Sequence, residues 1–258
     1  MNKVLKKLEQ FGIVPVVVLE DAKDAALLAK ALCDGGLACA EVTFRTAAAE
    51  ESIRIMSQKF PEMVVGAGTV LTVEQVDRAV KAGAQFIVSP GFNPVVVKYC
   101  IDHEIPITPG VVTPSEMEQA IAMGLEVVKF FPAEPSGGLG MIKAVAAPYT
   151  TLKFMPTGGI NPENIVPYLQ YDKILACGGS WMVKGNLVAR GAFDQITELT
   201  REAVSLVHSA RGGEVMAKGC YNGARLCSDY HRRVINVLHR PRSLKSIMVV
   251  PRPMWLSL

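Results

Sequence analysis

The chain has 258 residues, half of them hydrophobic, which is enough apolar material for one sizeable core. Its formal net charge of +3 is unevenly spread: residues 1–207 carry 18 Lys and Arg against 22 Asp and Glu, whereas residues 208–258 carry 9 against 2. No stretch reaches the roughly 18 apolar residues of a membrane span, and the amphipathic start lacks the apolar centre of a signal peptide. We therefore expect a cytoplasmic protein that has no membrane partner and does not need nucleic acid.

Behind a leading helix, eight apolar runs of strand length alternate with helical patterns. The predicted strands are Ile13–Leu19, Ala38–Phe44, Met63–Thr69, Gln85–Ser89, Ile105–Pro109, Glu126–Phe130, Leu152–Pro156 and Lys173–Cys177. The predicted helices cover residues 21–34, 46–59, 72–83, 93–103, 113–124 and 139–147, a segment starting at 161, and 192–207. Several helix starts carry caps, among them the capping box from Thr113 to Glu116.

This alternation predicts an α/β protein with a parallel sheet, and eight such units predict a single (β/α)8 TIM barrel with an N-terminal helix. A doubly wound open sheet is the alternative, but no strand leads into the GxGxxG pattern that often accompanies it. We predict that residues 1–207 form the barrel. Residues 208–258 mix glycine, arginine, proline and serine without period, so we predict an irregular, basic and poorly ordered C-terminal tail.

Lys129 lies in a short apolar run, between two valines and two phenylalanines. Burying an ammonium group is costly, so a lysine here should be paired or should lose its proton more easily than usual. A neutral amine attacks carbonyl carbons, which is the first step of Schiff-base chemistry. The alternative is a lysine whose stem packs on the core while its head reaches solvent.

The second strand places Glu41 on the face that Lys129 would also use, if both point to the barrel interior. A carboxylate beside an amine can carry protons during formation and breakdown of a carbinolamine. Arg45, just past the strand, can bind a carboxylate in bidentate fashion. The alternative for Glu41 is an acidic residue at an exposed strand end.

Three further strand ends are rich in small residues. The third predicted strand ends in Gly66-Ala-Gly-Thr69, where backbone amides and the threonine hydroxyl can contact a ligand. Paired glycines follow the last two strands, at Gly158-Gly159 and Gly178-Gly179, as in the phosphate sites of many such barrels. Each motif alone is also compatible with an ordinary tight turn.

No metal site is predicted, because the four histidines do not cluster near a strand end, and a metal-dependent aldolase is therefore less favoured than a lysine-dependent one. A metal site made only of carboxylates stays open as the alternative. The six cysteines form no CxxC pair, and the first four lie in apolar segments, as expected of core thiols in a reducing compartment.

Six motifs, in order and with matching spacing, resemble the 2-keto-3-deoxy-6-phosphogluconate (KDPG) / 4-hydroxy-2-oxoglutarate (KHG) aldolases. They are Glu41-Val-Thr-Phe-Arg-Thr46, Val65-Gly-Ala-Gly-Thr-Val-Leu71, Phe86-Ile-Val-Ser-Pro-Gly91, Lys129-Phe-Phe-Pro-Ala-Glu134, Pro156-Thr-Gly-Gly-Ile160 and Gly178-Gly-Ser-Trp181. The resemblance implies a class I enzyme without cofactor, usually a homotrimer, that splits a 2-keto-4-hydroxy acid into pyruvate and an aldehyde. It implies that Lys129 forms the Schiff base and Glu41 is the general acid and base.

The same resemblance implies the substrate-binding residues. Those for the pyruvate end are Arg45, Thr69, Pro90 and Phe131, and those for the phosphate end are Gly158, Gly159, Gly179 and Ser180. Thr157, which precedes the first glycine pair, is also predicted to bind substrate. The tail has no counterpart in the family pattern. Two alternative functions stay open from the residues alone: another phosphate-binding barrel enzyme, such as an isomerase or phosphoribosyl enzyme, or a non-catalytic scaffold that binds anions through its basic tail.

Overall fold

The computed structural model describes residues 1–212, and the predicted tail therefore lies outside the described residues except for its first five positions. The described chain is an α/β fold in which parallel strands alternate with helices, as predicted. Within residues 1–212, no helix is both long and apolar enough to cross a membrane.

Nine strands occur in the described residues: β1 Ile13–Val17, β2 Cys39–Thr43, β3 Val64–Gly68, β4 Ile87–Val88, β5 Ile107–Thr108, β6 Gly110–Val111, β7 Val127–Phe130, β8 Lys153–Pro156 and β9 Cys177–Gly179. Six of them form one sheet in the order β5-β4-β3-β2-β1-β9, and three form a second in the order β6-β7-β8. All the pairings are parallel. Isolated parallel bridges, Phe154 to Ile174 and Thr157 to Gly178, join β8 to the segment that forms β9.

The fifth predicted strand, Ile105–Pro109, is wrong in its bounds: within it only β5 forms, and a separate strand, β6, begins after Pro109, which has no N–H to donate to a ladder. The Pro106 carbonyl accepts from the Ile87 N–H at 2.8 Å, whereas the Pro109 carbonyl accepts from the Lys129 N–H at 2.9 Å. The backbone on the two sides of this proline thus pairs with different neighbouring strands.

The eighth predicted strand, Lys173–Cys177, is shifted towards the C-terminus, and the glycines expected to follow it lie inside β9. The reason is a close backbone approach. A Cβ atom at Gly178 would lie 2.2 Å from the Thr157 Oγ1 atom, so only glycine fits where the two segments pair.

Ten α-helices occur in the same residues: α1 Lys3–Phe11, α2 Ala25–Asp34, α3 Ala49–Lys59, α4 Val73–Ala82, α5 Pro94–Asp102, α6 Pro114–Ala122, α7 Gly138–Ala146, α8 Ile165–Leu169, α9 Gly185–Ala189 and α10 Phe193–Arg211. The Thr72 hydroxyl caps α4 by accepting from the Gln75 N–H at 3.2 Å, and Asn93 caps α5 in the same way. The helix predicted to start at Asn161 begins four residues later, because the Asn161 side chain first closes a turn by accepting from the Glu163 N–H.

The last helix does not end at Val207, as predicted, but at Arg211. The Arg211 guanidinium donates hydrogen bonds to the carbonyl oxygens of Ile174 and Leu175, at 3.3 and 2.8 Å, and to that of Glu9. Burial lowers the pKa of this side chain, which nevertheless stays a cation at neutral pH. The first residues assigned to the tail therefore belong to the packed fold and connect α10 to α1 and to the entry of β9.

Candidate active site

Lys129 and Glu41 come together from strands of the two different sheets. The Lys129 side chain is 6% exposed and the Glu41 side chain 1%, and Lys129 Nζ lies 3.5 Å from Glu41 Oε1. Lys129 is in β7 and Glu41 in β2, so 88 residues of chain separate the pair. The burial and the pairing expected from the sequence are both present.

The Glu41 carboxylate fits because the neighbouring strand carries glycine. A Cβ atom at Gly68 would lie 2.2 Å from Glu41 Oε1, so any side chain there would displace the carboxylate. Its other oxygen, Oε2, is buried and has no hydrogen-bond partner among residues 1–212. A buried oxygen of this kind can accept a hydrogen bond from a bound molecule.

Phe131 links this buried pair to an open cavity. Lys129 Nζ lies 4.9 Å from the centre of the Phe131 ring, within the range of a cation–π contact. Phe131 also lines a cavity of about 400 Å³, to which Lys129 and Glu41 themselves are not lining residues. The Phe131 ring thus contacts the Lys129 amine and also forms part of the cavity wall.

Seven of the predicted site residues line that cavity: Arg45, Phe131, Thr157, Gly158, Gly159, Gly179 and Ser180. Arg45 is exposed, and its Nε donates to Thr43 Oγ1 at 3.2 Å. The Thr43 hydroxyl in turn donates to the Val17 carbonyl at 2.9 Å, which ties the arginine to β1. A cation is therefore held at the cavity rim on the side of β2.

Thr69 and Pro90, the other residues predicted for the pyruvate end, do not line the cavity. Thr69 follows β3 and has a φ of 55°, an uncommon backbone conformation for threonine. Pro90 is half-buried, and its carbonyl group packs closely on Gly110, where a Cβ atom would lie 2.0 Å from the Pro90 oxygen. Both residues lie near strand ends, but the fold does not place them in the wall of the cavity that Arg45 lines.

The cavity floor on the other side is a glycine turn. Gly158 and Gly159 have φ values of 99° and 85°, which L-residues with side chains rarely adopt. Thr157, just before them, is buried, and its Oγ1 has no hydrogen-bond partner among the described residues. Backbone groups and one hydroxyl are thus presented to the cavity here.

Seven lining residues are not among the predicted site residues: Val16, Val18, Ile160, Gly178, Val183, Lys184 and Gly185. The apolar four carry no sequence signal that separates them from core residues. Lys184 is different, because it is an exposed cation four residues after Ser180. Its closeness in sequence to the second glycine pair is the feature from which it could have been predicted to contact the substrate phosphate. Together with Arg45 it gives the lining two positive charges and no acidic side chain.

Within residues 1–212, no group of three or more His, Cys, Asp or Glu side chains is arranged to hold a metal ion.

A family model described as "KDPG and KHG aldolase" matches residues 4–199. The chain belongs to this family of aldolases, which are lyases. The match spans most of the described residues and includes both Lys129 and Glu41. It favours the aldolase prediction over the isomerase alternative, while the scaffold alternative depended on a tail that lies outside the described residues.

Two curated relatives illustrate the similarity within the aldolase family. The chain is 49% identical over 207 residues to a 2-dehydro-3-deoxy-phosphogluconate aldolase of Treponema pallidum, covering 80% of this chain and 99% of the relative. It is 43% identical over 192 residues to a KHG/KDPG aldolase of Escherichia coli K12, covering 74% of this chain and 90% of the relative.

Solved structures agree with the sequence comparison. The KDPG aldolase of Legionella pneumophila, with pyruvate captured as a covalent carbinolamine intermediate, has a TM-score of 0.76 and 37% identity, covering 78% of this chain and 98% of that one. The aldolase of Zymomonas mobilis with 3-phosphoglycerate has a TM-score of 0.73 and 40% identity, covering 78% and 95%.

Proposed function

We propose that this aldolase is a class I enzyme that cleaves KDPG to pyruvate and glyceraldehyde 3-phosphate, KHG to pyruvate and glyoxylate, or both. The observation that carries the proposal is the buried pair in which Lys129 Nζ lies 3.5 Å from Glu41 Oε1. A buried amine needs a proton acceptor beside it before it can attack a ketone, and the carboxylate supplies one. The related structure with a pyruvate carbinolamine supports the same chemistry.

In the proposed reaction, the neutral Lys129 amine forms a bond to the C2 carbon of the substrate ketone. The C2 oxygen takes one proton from the attacking nitrogen and one from the protonated Glu41 carboxyl, and it leaves as water to yield an iminium ion. Glu41, now a carboxylate, removes the proton of the C4 hydroxyl. The C3–C4 bond then breaks, its electron pair moves into the iminium, and the aldehyde departs.

The remaining enamine takes a proton at C3, and water adds to the iminium carbon that results. Collapse of this second carbinolamine releases pyruvate and restores the Lys129 amine, so no metal or organic cofactor enters the cycle.

For the pyruvate end we propose Arg45 as the partner of the substrate carboxylate, with Phe131 as the wall of the pocket. Thr69 and Pro90 remain proposed members of this end, next to it rather than in the open cavity. For the aldehyde end we propose that Thr157, Gly158, Gly159, Gly179 and Ser180 bind the phosphate. Lys184 adds a positive charge on the same side, which favours a phosphorylated substrate.

We also propose that the nine strands close into a complete (β/α)8 barrel, with β5 and β6 sharing the fifth position and the Phe154–Ile174 bridge completing the ring. This enzyme unit comprises residues 1–207, as expected from the sequence, and the final turn of α10. The predicted tail beyond this unit lies outside the described residues. The proposed compartment is the cytoplasm, in keeping with the free thiols of Cys33, Cys39, Cys100 and Cys177.

The proposed assembly is a homotrimer, for which large apolar side chains on and near α4 and α5 are available. They are Leu71, Val80, Val95 and Ile101, and Val95 is 67% exposed. Light scattering of the wild type and of Val95→Asp should give a trimer for the first and a smaller species for the second. A monomeric wild type would contradict the proposed assembly.

The decisive experiment is to incubate the protein with pyruvate, reduce it with borohydride, and locate the mass adduct by peptide sequencing. We expect a reduced pyruvyl adduct on Lys129, none in Lys129→Met, and an undiminished one in the control Lys98→Met, which changes an exposed lysine. Absence of the adduct from the folded wild type would contradict the class I mechanism. Turnover of KDPG and of KHG, measured side by side, would then show which aldehyde half the enzyme prefers.

A further inference from the structure

Behind the glycine turn of the cavity lies a hydrogen-bonded pair that the mechanism does not use. Tyr168, on α8, is 2% exposed, and its hydroxyl donates to Glu134 Oε1. Glu134 begins a short 3-10 turn, Glu134–Ser136, that follows β7. Burial, and then the hydrogen bond to Glu134, raise the pKa of the Tyr168 phenol, so it remains a proton donor at neutral pH.

The segment that carries Glu134 also carries the glycine turn. The Glu134 N–H donates to the Gly158 carbonyl at 3.0 Å, and the preceding N–H, of Ala133, donates to the Thr157 carbonyl at 2.8 Å. A Cβ atom at Gly159 would lie 2.6 Å from the Glu134 Cβ atom, so the turn packs directly on this residue. The position of Glu134 therefore sets the position of the turn.

The turn is held from its other side by the approach to α8. The Asn164 and Asn161 side-chain amides donate to the Gly159 carbonyl at 3.0 and 3.3 Å. Tyr168, four residues after Asn164, then returns to Glu134 and closes a loop of contacts around the turn. Room for this bond is left by Gly138, where a Cβ atom would lie 3.0 Å from both the Tyr168 and the Glu134 oxygens.

Glu134 is exposed and lies beside the glycine turn, where a negative charge would disfavour the binding of a phosphate. A dianionic phosphate at the glycine turn would be repelled by a carboxylate that is free to turn towards it. The Tyr168 hydroxyl holds one carboxylate oxygen towards α8. The bond thus has two effects that act together: it fixes the backbone of the turn and it directs a negative charge away from it.

From this geometry we infer that Tyr168 is a positioning residue for the phosphate end, acting through Glu134 on the Gly158–Gly159 turn. The inference rests on the proposed function, since it assigns the phosphorylated half of the substrate to this turn. It makes the Tyr168–Glu134 bond a determinant of preference between phosphorylated and unphosphorylated 2-keto-4-hydroxy acids.

The test compares Tyr168→Phe, which removes the bond and keeps the charge, with Glu134→Gln, which keeps an oxygen acceptor for Tyr168 and removes the charge. For Tyr168→Phe we expect the KM for KDPG to rise by about two- to tenfold, the usual worth of one hydrogen bond, with kcat nearly unchanged. The KM for KHG should not change. Inorganic phosphate should inhibit this variant more weakly by a similar factor, whereas Glu134→Gln should resemble the wild type in all three measurements.

Equal effects on both substrates in Tyr168→Phe, or no effect on either, would overturn the inference. The pyruvyl adduct on Lys129, which involves no phosphate, is measured in parallel and should be the same in every variant. If the wild type itself gives no adduct, it is the proposed function that fails. Should Tyr168→Phe not fold, Glu134→Ala breaks the same bond and leaves no carboxylate to repel the phosphate, so it measures the effect on the backbone of the turn alone. A KM that rises for KDPG and not for KHG would support the inference, and an unchanged KM for KDPG would overturn it.

Discussion

Glu41 is buried with one carboxylate oxygen facing Lys129 Nζ and the other without a partner among the described residues. This is an expensive arrangement for a residue that only contributes to stability, because a buried unsatisfied oxygen costs about 1–3 kcal/mol. The same arrangement suits a carboxylate that transfers protons, because one oxygen faces the Lys129 amine and the other can face the substrate. The two predictions at the residue scale follow from this oxygen pair.

Glu41→Gln keeps the shape of the side chain but removes its ability to take a proton. We expect the turnover of KDPG or KHG to fall by more than about a hundredfold, the usual worth of general acid–base catalysis. Steady-state kinetics beside a circular dichroism spectrum give the measurement. Near-normal turnover in a folded variant would exclude Glu41 from proton transfer.

Gly68→Ala should lower the activity by displacing the Glu41 side chain, although Glu41 itself is unchanged. The added methyl group would lie 2.2 Å from Glu41 Oε1, and the carboxylate must move away from Lys129 to admit it. We expect a loss of turnover of at least about tenfold, since one misplaced catalytic group costs that much or more. Gly140→Ala, on α7 with nothing within 4 Å of the new methyl group, is the matched control and should retain full turnover.

At the scale of elements, the start of α6 shows how one carboxylate organises a strand-to-helix connection. Glu116 Oε2 accepts from the N–H groups of Val112 and Thr113, at 2.9 and 2.8 Å, and from the Thr113 hydroxyl at 2.8 Å. Burial alone would raise the pKa of this carboxyl, but the three hydrogen bonds outweigh it and hold the pKa below its ordinary value of 4.5. Only the ionised form accepts all three bonds with full strength.

Because the pKa of Glu116 is lower in the folded than in the unfolded chain, its stabilising effect is present above about pH 4.5 and is lost as the pH falls through the lowered value. Glu116→Gln should lower the free energy of unfolding at pH 7 by about 1 kcal/mol, as for other helix caps. Urea unfolding at pH 7 and at pH 3 should show the difference between wild type and variant shrinking at the lower pH. A difference that stays constant would contradict this assignment.

Sequence patterns were sufficient for most elements and for the central pair, for one physical reason. Charged residues inside apolar strands are rare, so Lys129 and Glu41 were visible as soon as their strands were recognised. The division of the fifth strand at Pro109 and the shift of the eighth depend on which neighbour each backbone meets. That information lies in contacts such as Thr157 with Gly178, far apart in the chain.

The pair behind the glycine turn was missed for a related reason. Tyr168 looks like an ordinary apolar position of a short helix, and Glu134 looks like a surface acid. Only the folded chain brings their oxygens together across 34 residues. Arg211 was missed because it follows the last apolar repeat of its helix, where a basic residue resembles the start of a solvated tail.

At the scale of the whole molecule, Arg211 connects the end of α10 to α1 and to the segment before β9. We expect a chain that stops after Gly212 to have the melting temperature and turnover of the full chain. One that stops after Val207 leaves the carbonyl groups of Ile174 and Leu175 without this donor, and each unpaired group costs about 1–3 kcal/mol. Its melting temperature should therefore fall by several degrees, roughly 2–4 °C per kcal/mol for a chain of this size.

The point variant Arg211→Met should reproduce most of that loss in the full chain. Arg201→Met, at an exposed position of the same helix, is the control and should melt with the wild type. Equal melting temperatures for the chains ending at Val207 and Gly212 would contradict a structural role of Arg211.

The contacts of Arg211 also place the end of α10 at one end of the strands. They join it to Glu9 and to Ile174, which precede β1 and β9, whereas the cavity is lined by residues that lie late in the strands or follow them. A chain ending at Gly212 thus terminates at the end of the strands opposite to the substrate entrance. Attached through that terminus to a bead or an electrode, such an enzyme would turn its entrance towards the surrounding solution and should keep the KM it has when free.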